Sequence, residues 1–492
     1  MTAVRERTTV AARPTRRSAP QRGRAWLRSW LARPLTSFHL VLGVFVLLTG
    51  MGLTMVLSAS SANAAAVPGG SAFSLFQRQL VFVVIGSVLF YIALRTPVRV
   101  VRALAVAAMI VSVVLLLAVL VPGIGTTVNG TRGWFRFGTL SFQPTEAAKI
   151  AIAVWGAHVL AVARPHLTPL RQLLAPLLPV SAVAALLMLL QPDLGGTVTL
   201  AIVVLALLWF GGMSMKVFLG LSVVVVAGAV AFGLTVGPRS ARITSWLNPN
   251  ANLDGSGYQA LQARYSLADG GWWGLGLGQS RAKWNYLPNA HNDFIFAIIG
   301  EELGFIGCVA VLALFATLAC VGLRIALRSV DPFLALLTAT ITVSLVSQAF
   351  LNIGYVTALL PVTGLQLPLI SSGGTSTAIT MFVFGLLANA ARHEPQAIAA
   401  LRTGEQGRLA RMLRLPAPQP YSERRAQLAR RAETPRQPAR QAPRQAPRQA
   451  QRQAPRQAPR QVPAPARAPR ARRAGPSGRP EQGGSRERGG RR

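Results

Sequence analysis

Residues 38–56 read "FHLVLGVFVLLTGMGLTMV". This run holds no Asp, Glu, Lys or Arg, and as a helix rising ~1.5 Å per residue it covers nearly the ~30 Å of a bilayer's hydrocarbon core. A basic stretch precedes it and "SASSANAAA" (58–66) follows, the layout of a secretory signal with an A-x-A-like cleavage site. The apolar run is longer than a signal core, however, and nine more apolar segments follow it. The segment is therefore read as an uncleaved first membrane helix.

Outward from it, the composition agrees. The chain is 51% hydrophobic with a mean hydropathy of +0.41 and only 13% charged residues, about half the share of a soluble domain. Ten apolar segments can be marked: approximately 38–58, 79–95, 103–121, 144–162, 173–190, 196–212, 216–236, 293–323, 332–359 and 375–391. Lipid offers no partner to free backbone groups, so each is predicted helical. The fold class is an all-α multipass membrane protein of about ten transmembrane helices. The domain boundaries are a basic N-terminal tail (1–36), a membrane domain (37–391) and a C-terminal region (392–492).

The net charge of +36 belongs mostly to the ends. Residues 1–36 and 421–492 together hold twenty-nine arginines against five glutamates. Short loops carrying Arg95, Arg99 and Arg102, then Arg164 and Arg171, then Lys216, then Arg324 and Arg328 alternate with the loops 59–78, 191–195 and 360–374, almost free of basic residues. Two outer segments break the pattern, one after the third span and the long stretch 237–292. The positive-inside rule then puts both termini and the short basic loops in the cytoplasm. The tail from about 415, with its "APRQAPRQAQRQAPRQAPRQ" run, lacks the apolar bulk to fold and is predicted disordered. It suits a solvated linker, anionic lipid, or a specific protein partner. It has no interleaved aromatics for stacking, which argues against nucleic acid. Cys308 and Cys320, twelve residues apart in one apolar run, lie about 18 Å apart on a helix, beyond disulfide reach, and read as small hydrophobes.

Only 15 Asp and Glu occur, eight of them between 37 and 391, and three of those eight fall within "HNDFIFAIIGEELGF" (291–305). On a helix Glu301 lies about 80° and Glu302 about 180° around the axis from Asp293, so the three cannot form one carboxylate cluster. An acid in a span is functional or paired. Glu301 and Glu302 are predicted to tie helices together, with Gly300, Gly304 and Gly307 admitting a close neighbour. Asp293, at the rim beside Asn289, His291 and Asn292, is the candidate functional acid. In "TEAAK", Glu146 and Lys149 meet at i and i+3, either as a structural ion pair or lining a polar cavity. Asp193 in "QPDLGG" is placed to cap the helix that follows. "LPLISSGGTS" (367–376), with Ser371 and Ser372, either receives an anion on its backbone amides or closes a loop. The long outer loop 237–292 carries Arg239, Arg242, Arg264, Arg281 and Lys283, four tryptophans and three tyrosines, the composition of an ordered structure at the membrane interface. No metal-ligand spacing is found.

"QPTEAAKIA", "QPDLGG", "NPNANLDGSGYQALQA", "GLGLGQS", "YLPNAHNDFIFAIIGEELGFIG" and "LPLISSGGTS", in this order, resemble the SEDS family (shape, elongation, division and sporulation) over about residues 38–391. "AIIGEELG" and "ISSGGTS" resemble its division branch more than its elongation branch. The resemblance implies a peptidoglycan glycosyltransferase that polymerises lipid II into glycan strands at the outer face of the cytoplasmic membrane. It also implies a class B penicillin-binding protein as partner, further division proteins, and location at the septum. The family's essential acid falls on Asp293 and its fourth-helix pair on Glu146 and Lys149. The family's arginine in the second outer loop falls near Arg132, displaced by one position in "GTRGW". His291, Ser371, Ser372 and the outer-loop cations Lys283, Arg239, Arg242, Arg264 and Arg281 are the expected substrate contacts. No cofactor follows, and a divalent cation is left open. A lipid II flippase and an elongation polymerase are the alternatives.

Overall fold

The computed structural model describes residues 33–65, 71, 73–128, 130–138, 140–163, 170–235, 237–248, 255–284, 286–403 and 413–422. The sequence readings on the far N-terminal tail, the loop 164–169 and the repeat tail lie outside these residues, as does the side chain of Arg239.

All ten expected segments are helical. In chain order they are α1 (Thr36–Ala65), α2 (Ser74–Arg95), a third segment interrupted at Leu104 into α3 (Val98–Ala103) and α4 (Ala105–Ala118), α5 (Pro144–Ala163), α6 (Leu170–Leu190), α7 (Leu194–Phe210) and α8 (Met215–Thr235). The amphipathic α9 (Gly237–Leu247) and α10 (Ser256–Asp269) follow, then α11 (Ile295–Arg328), α12 (Pro332–Val356), α13 (Thr375–Arg392) and the short α14 (Pro395–Arg402). Among the described residues six helices are long and apolar enough to cross a membrane: α1, α2, α5, α8, α11 and α12. The helices at 105–118, 174–190 and 194–210 are shorter and apolar. Two prolines, Pro176 and Pro179, lie inside α6 without ending it.

α12 is the central post, packed on α11, α7 and α5. α13 lies along α2 and against α1. α8 stands at the periphery with an almost fully exposed, valine-rich surface, which suits a lipid solvent. Asp193 caps α7, its Oδ1 accepting 2.7 Å from the Gly196 amide, as the turn motif predicted.

The loops separate into two ends. At one, Arg102 pairs with Asp331 and Arg328 lies 3.6 Å from Glu394. This end carries the arginines that set the expected orientation. At the other, Thr131 reaches the Pro192 carbonyl (3.3 Å), the Gln143 amide reaches Thr375 Oγ1 (3.4 Å), and the Ser372 amide donates to the His291 carbonyl (3.1 Å). Here the structure adds what the all-helical reading missed: an antiparallel sheet of β1 (Thr126–Val128), β2 (Thr131–Phe137) and β3 (Leu140–Phe142). The β-branched and aromatic residues of "TRGWFRF" favour a pleated surface, and Phe135 stacks on Phe142 at 6.4 Å.

α11 is broken at Gly304, whose φ of 67° and ψ of −166° suit only glycine. The break frees backbone groups at membrane depth, where each needs a partner. The loop after α10 supplies them. The Leu275 and Gly276 amides donate to the carbonyls of Glu301 (2.9 Å) and Glu302 (3.0 Å), and the Phe305 amide donates to Gly271 O (2.9 Å). Gly300, Gly304 and Gly307 were expected to admit a helix. At Gly300 a helix does approach, Leu267 of α10 covering it, whereas Gly304 is met by the backbone of this loop. A Cβ on Gly304 would lie 2.4 Å from the Gly274 nitrogen at a left-handed φ. Gly304→Ala is expected to cost about 2–4 kcal/mol. Gly43→Ala, where a Cβ would meet nothing within 4 Å, should stay within about 0.5 kcal/mol of the parent chain. Thermal unfolding in detergent compares the two.

Candidate active site

Asp293 lies in the turn that precedes α11. Two side chains of α12 hold its backbone: Asn352 Nδ2 and the Tyr355 hydroxyl reach the Asp293 carbonyl at 2.9 and 2.7 Å. The same two groups reach the Leu365 carbonyl at 2.7 and 2.6 Å. The loop 357–374 is thereby drawn against Asp293. Gly364, with φ +75°, presents its bare side to the site. A Cβ there would lie 3.6 Å from Asp293 Oδ2 and 3.7 Å from Arg242 Nη1, so the carboxyl and the guanidinium border the same small space.

Arg242 comes from α9. Arg242, Ser245 and Trp246 share one face at i, i+3 and i+4, and the Trp246 indole N–H donates to the Ala358 carbonyl at 3.0 Å. That face, together with Arg264 of α10, Tyr355 and Leu360, lines a cleft. Half-buried Arg242 and exposed Arg264 are thus two cations in one cleft, and Asp293 lies across Gly364 from the first of them. Protein atoms crowd the Asp293 carboxyl, and burial pushes its pKa up to about 7, against the opposing pull of the Arg242 charge. A carboxyl held near neutrality, with a cation close by, has the poise of a general base.

The other expected residues are distributed as follows. His291 is half-buried, its pKa lowered by burial, and among the described residues its Nδ1 has no hydrogen-bond partner. Ser372 joins the site through its backbone bond to His291, whereas the Ser371 hydroxyl accepts from the Leu367 amide (2.8 Å) and closes its own turn. Glu146 and Lys149 form the i, i+3 ion pair at 2.8 Å, with Lys149 buried. Arg132 is half-buried on β2, opposite Thr127. Arg281 is exposed, and its backbone amide donates to Glu301 (2.6 Å).

Two expectations are corrected. Lys283, taken for a substrate cation, is buried, donating to the Gly278 carbonyl and lying 3.8 Å from Glu302. The second is corrected in part: Glu301 and Glu302, expected to tie helices together, converge on one loop, and only Glu302 also makes a tie to another helix. Glu301 receives the Ser280 hydroxyl (2.7 Å) and two backbone amides, and Glu302 receives the Ser280 amide (3.4 Å) and Ser58 of α1 (2.6 Å). The helical wheel overlooked a loop able to wrap two faces next to the Gly304 break. Among the described residues no three of His, Cys, Asp and Glu gather as metal ligands.

Residues 38–396, nearly all of the helical domain, match the family model described as "Cell cycle protein", FtsW/RodA/SpoVE. The chain belongs to this family. Within it, the chain is similar to "Probable peptidoglycan glycosyltransferase FtsW" of Mycobacterium tuberculosis, 53% identical over 400 residues that cover 81% of this chain and 76% of the relative. The fold is similar to a chain in the solved structure "Structural coordination of polymerization and crosslinking by a peptidoglycan synthase complex", at 28% identity and a TM-score of 0.59, covering 75% of this chain and all of that one. It is also similar to the RodA protein of Thermus thermophilus, at 27% identity and a TM-score of 0.54, covering 75% and 99%. The family expected from the motifs is thus the family found.

Sequence reading missed Asn352, Tyr355 and Gly364. The available signal was a lone asparagine near the end of the apolar run "AFLNIGYV", since a buried amide must find partners.

A carboxyl whose folded-state pKa lies above its unfolded value binds more protons folded than unfolded, so it lowers stability as pH rises from about 4 to 7. Asp293→Asn is therefore expected to raise the Tm, by more at pH 8 than at pH 5, in paired thermal melts.

Proposed function

We propose that the chain is a peptidoglycan glycosyltransferase of the division branch, polymerising lipid II at the outer face of the cytoplasmic membrane. The observation that carries this reading is Asp293 across Gly364 from Arg242, a cation that lines a cleft together with Arg264. The name of the mycobacterial relative supports the activity and the division role, and no observation favours the elongation alternative. The synthase-complex neighbour joins polymerisation to crosslinking, which supports a class B penicillin-binding protein as partner. Ten spans, both termini in the cytoplasm and location at the septum complete the proposal.

The chemistry follows from the groups present. A sugar hydroxyl is too weak an acid to attack unaided at neutral pH. Ionised Asp293 accepts its proton as the hydroxyl oxygen bonds to the anomeric carbon of the donor. The bond from that carbon to the undecaprenyl diphosphate oxygen breaks, and the diphosphate leaves with the electron pair. It departs as a stable anion, so no second carboxylic acid is needed. Arg242 and Arg264 oppose the charge that develops on it. The proton on Asp293 then passes to water.

The test is lipid II polymerisation by the purified chain with its transpeptidase partner. Asp293→Asn should lose at least about 100-fold in rate, and normal strands from this variant would sink the assignment. The rate should rise with pH through about 7 as Asp293 ionises. Arg242 favours the ionised form, so Arg242→Gln should displace that limb to higher pH. Passage of lipid II between leaflets without consumption would instead favour the transporter.

A further inference from the structure

We propose that Tyr355 and Asn352 are positioning residues, a hydroxyl–amide pair that grips the carbonyls of Asp293 and Leu365 and so sets the Asp293 carboxyl across Gly364 from Arg242. The proposal rests on the reading of Asp293 as the base.

Both side chains are fully buried, at 0% exposure. They stand at i and i+3 on α12, side by side, with Asn352 Nδ2 reaching the Tyr355 hydroxyl at 2.7 Å. The amide has two protons to give and the hydroxyl one. Three acceptors stand within reach: the Asp293 carbonyl, the Leu365 carbonyl and the tyrosine oxygen. Three protons meet three acceptors with no donor left over, while Asn352 Oδ1 has no hydrogen-bond partner among the described residues. Burying an amide and a hydroxyl is costly unless each is fully bonded. Leucine and phenylalanine would fill these positions without that cost.

What the pair grips is specific to the site. Asp293 lies outside the helical ladder. The Ala297 amide, which would take the Asp293 carbonyl in a continuing α-helix, bonds the Phe294 carbonyl at 2.9 Å instead. Among the described residues the pair therefore supplies the hydrogen bonds to the Asp293 carbonyl. Its other grip, on Leu365, is one residue from Gly364, whose bare face borders both the carboxyl and the guanidinium. The Phe294 ring meets the Tyr355 ring edge-on at 5.6 Å and fixes the angle of approach. Loss of the hydroxyl loosens the Asp293 turn from the 364–365 segment, leaving Asn352 alone to hold both carbonyls, and the separation of carboxyl and guanidinium is less tightly set. The titratable groups around Asp293 are Arg242 of α9, Tyr355 of α12 and His291 in its own turn.

The experiment uses the full-length chain with its transpeptidase partner and the variants Tyr355→Phe and Asn352→Leu. Two readouts are taken: the pH profile of lipid II polymerisation, and an isotope-edited infrared titration of the Asp293 carboxyl, with Asp293→Asn as the blank. Tyr355→Phe keeps the ring against Phe294. It is expected to lower kcat about tenfold with KM unchanged. It should also move both the acid limb and the infrared midpoint by about half a unit or more, and Asn352→Leu should move them too. If either variant purifies poorly, the other carries the test. Activity lost only in proportion to folded protein, with limb and midpoint in place, overturns the proposal. So does an unchanged kcat. The infrared readout needs no turnover: a midpoint that moves in a chain unable to polymerise lipid II keeps the clamp and removes the polymerase, whereas a fixed midpoint in an active chain does the reverse.

Discussion

A broken helix inside a membrane must find partners for the backbone groups it releases, and much of this structure follows from how that demand is met. Gly304 interrupts α11, and the glycine-rich loop after α10 lays its backbone across the gap. Two glycines of "GGWWGLG" are placed for contact: a Cβ on Gly270 would come within 1.8 Å of the Gly300 carbonyl, and one on Gly274 within 2.2 Å of the Glu302 carbonyl. Glu301 and Glu302 then bind the next stretch of the same loop through Ser280 and its neighbours. Two buried acids are tolerable there because they are closely hydrogen-bonded. The loop so fastened leads directly into the turn that carries Asp293.

The site is a balance of opposed terms. Burial disfavours charge on Asp293, and the Arg242 guanidinium favours it. Neither group is placed by the spans alone. Arg242 rides on an amphipathic helix pinned by Trp246 to the end of α12, and Asp293 is pinned to the same helix by Asn352 and Tyr355. α12 is also among the best buried of the spans. This well-buried post and the turn that follows it thus carry the fastenings for both charges, as a preorganised site requires.

The helices were legible because lipid imposes one solution on each apolar run, and Asp293 because a carboxyl at a membrane rim demands a reason. Loop geometry was not. Lys283 looked like a surface cation, yet it is folded inward beneath its own loop, and no local pattern reports that. The wheel separated Glu301 from Glu302 correctly in angle, but it could not show a loop that curls around both. The clamp was hidden because its asparagine and tyrosine contact backbone carbonyls, which every residue carries and no sequence distinguishes.

The bond between Ser58 of α1 and Glu302 of α11 joins residues 244 positions apart. At synthesis rates of about 5–20 residues per second, the first helix waits on the order of 10–50 s for its partner. A serine can spend that interval bonded to its own helix, whereas a carboxylate could not rest unpartnered in lipid. The hydroxyl sits on the helix that arrives early. The acid sits on the one that arrives late, just after the loop that will shelter it. The order of these two residues along the chain is therefore a schedule for insertion as well as a contact in the finished fold.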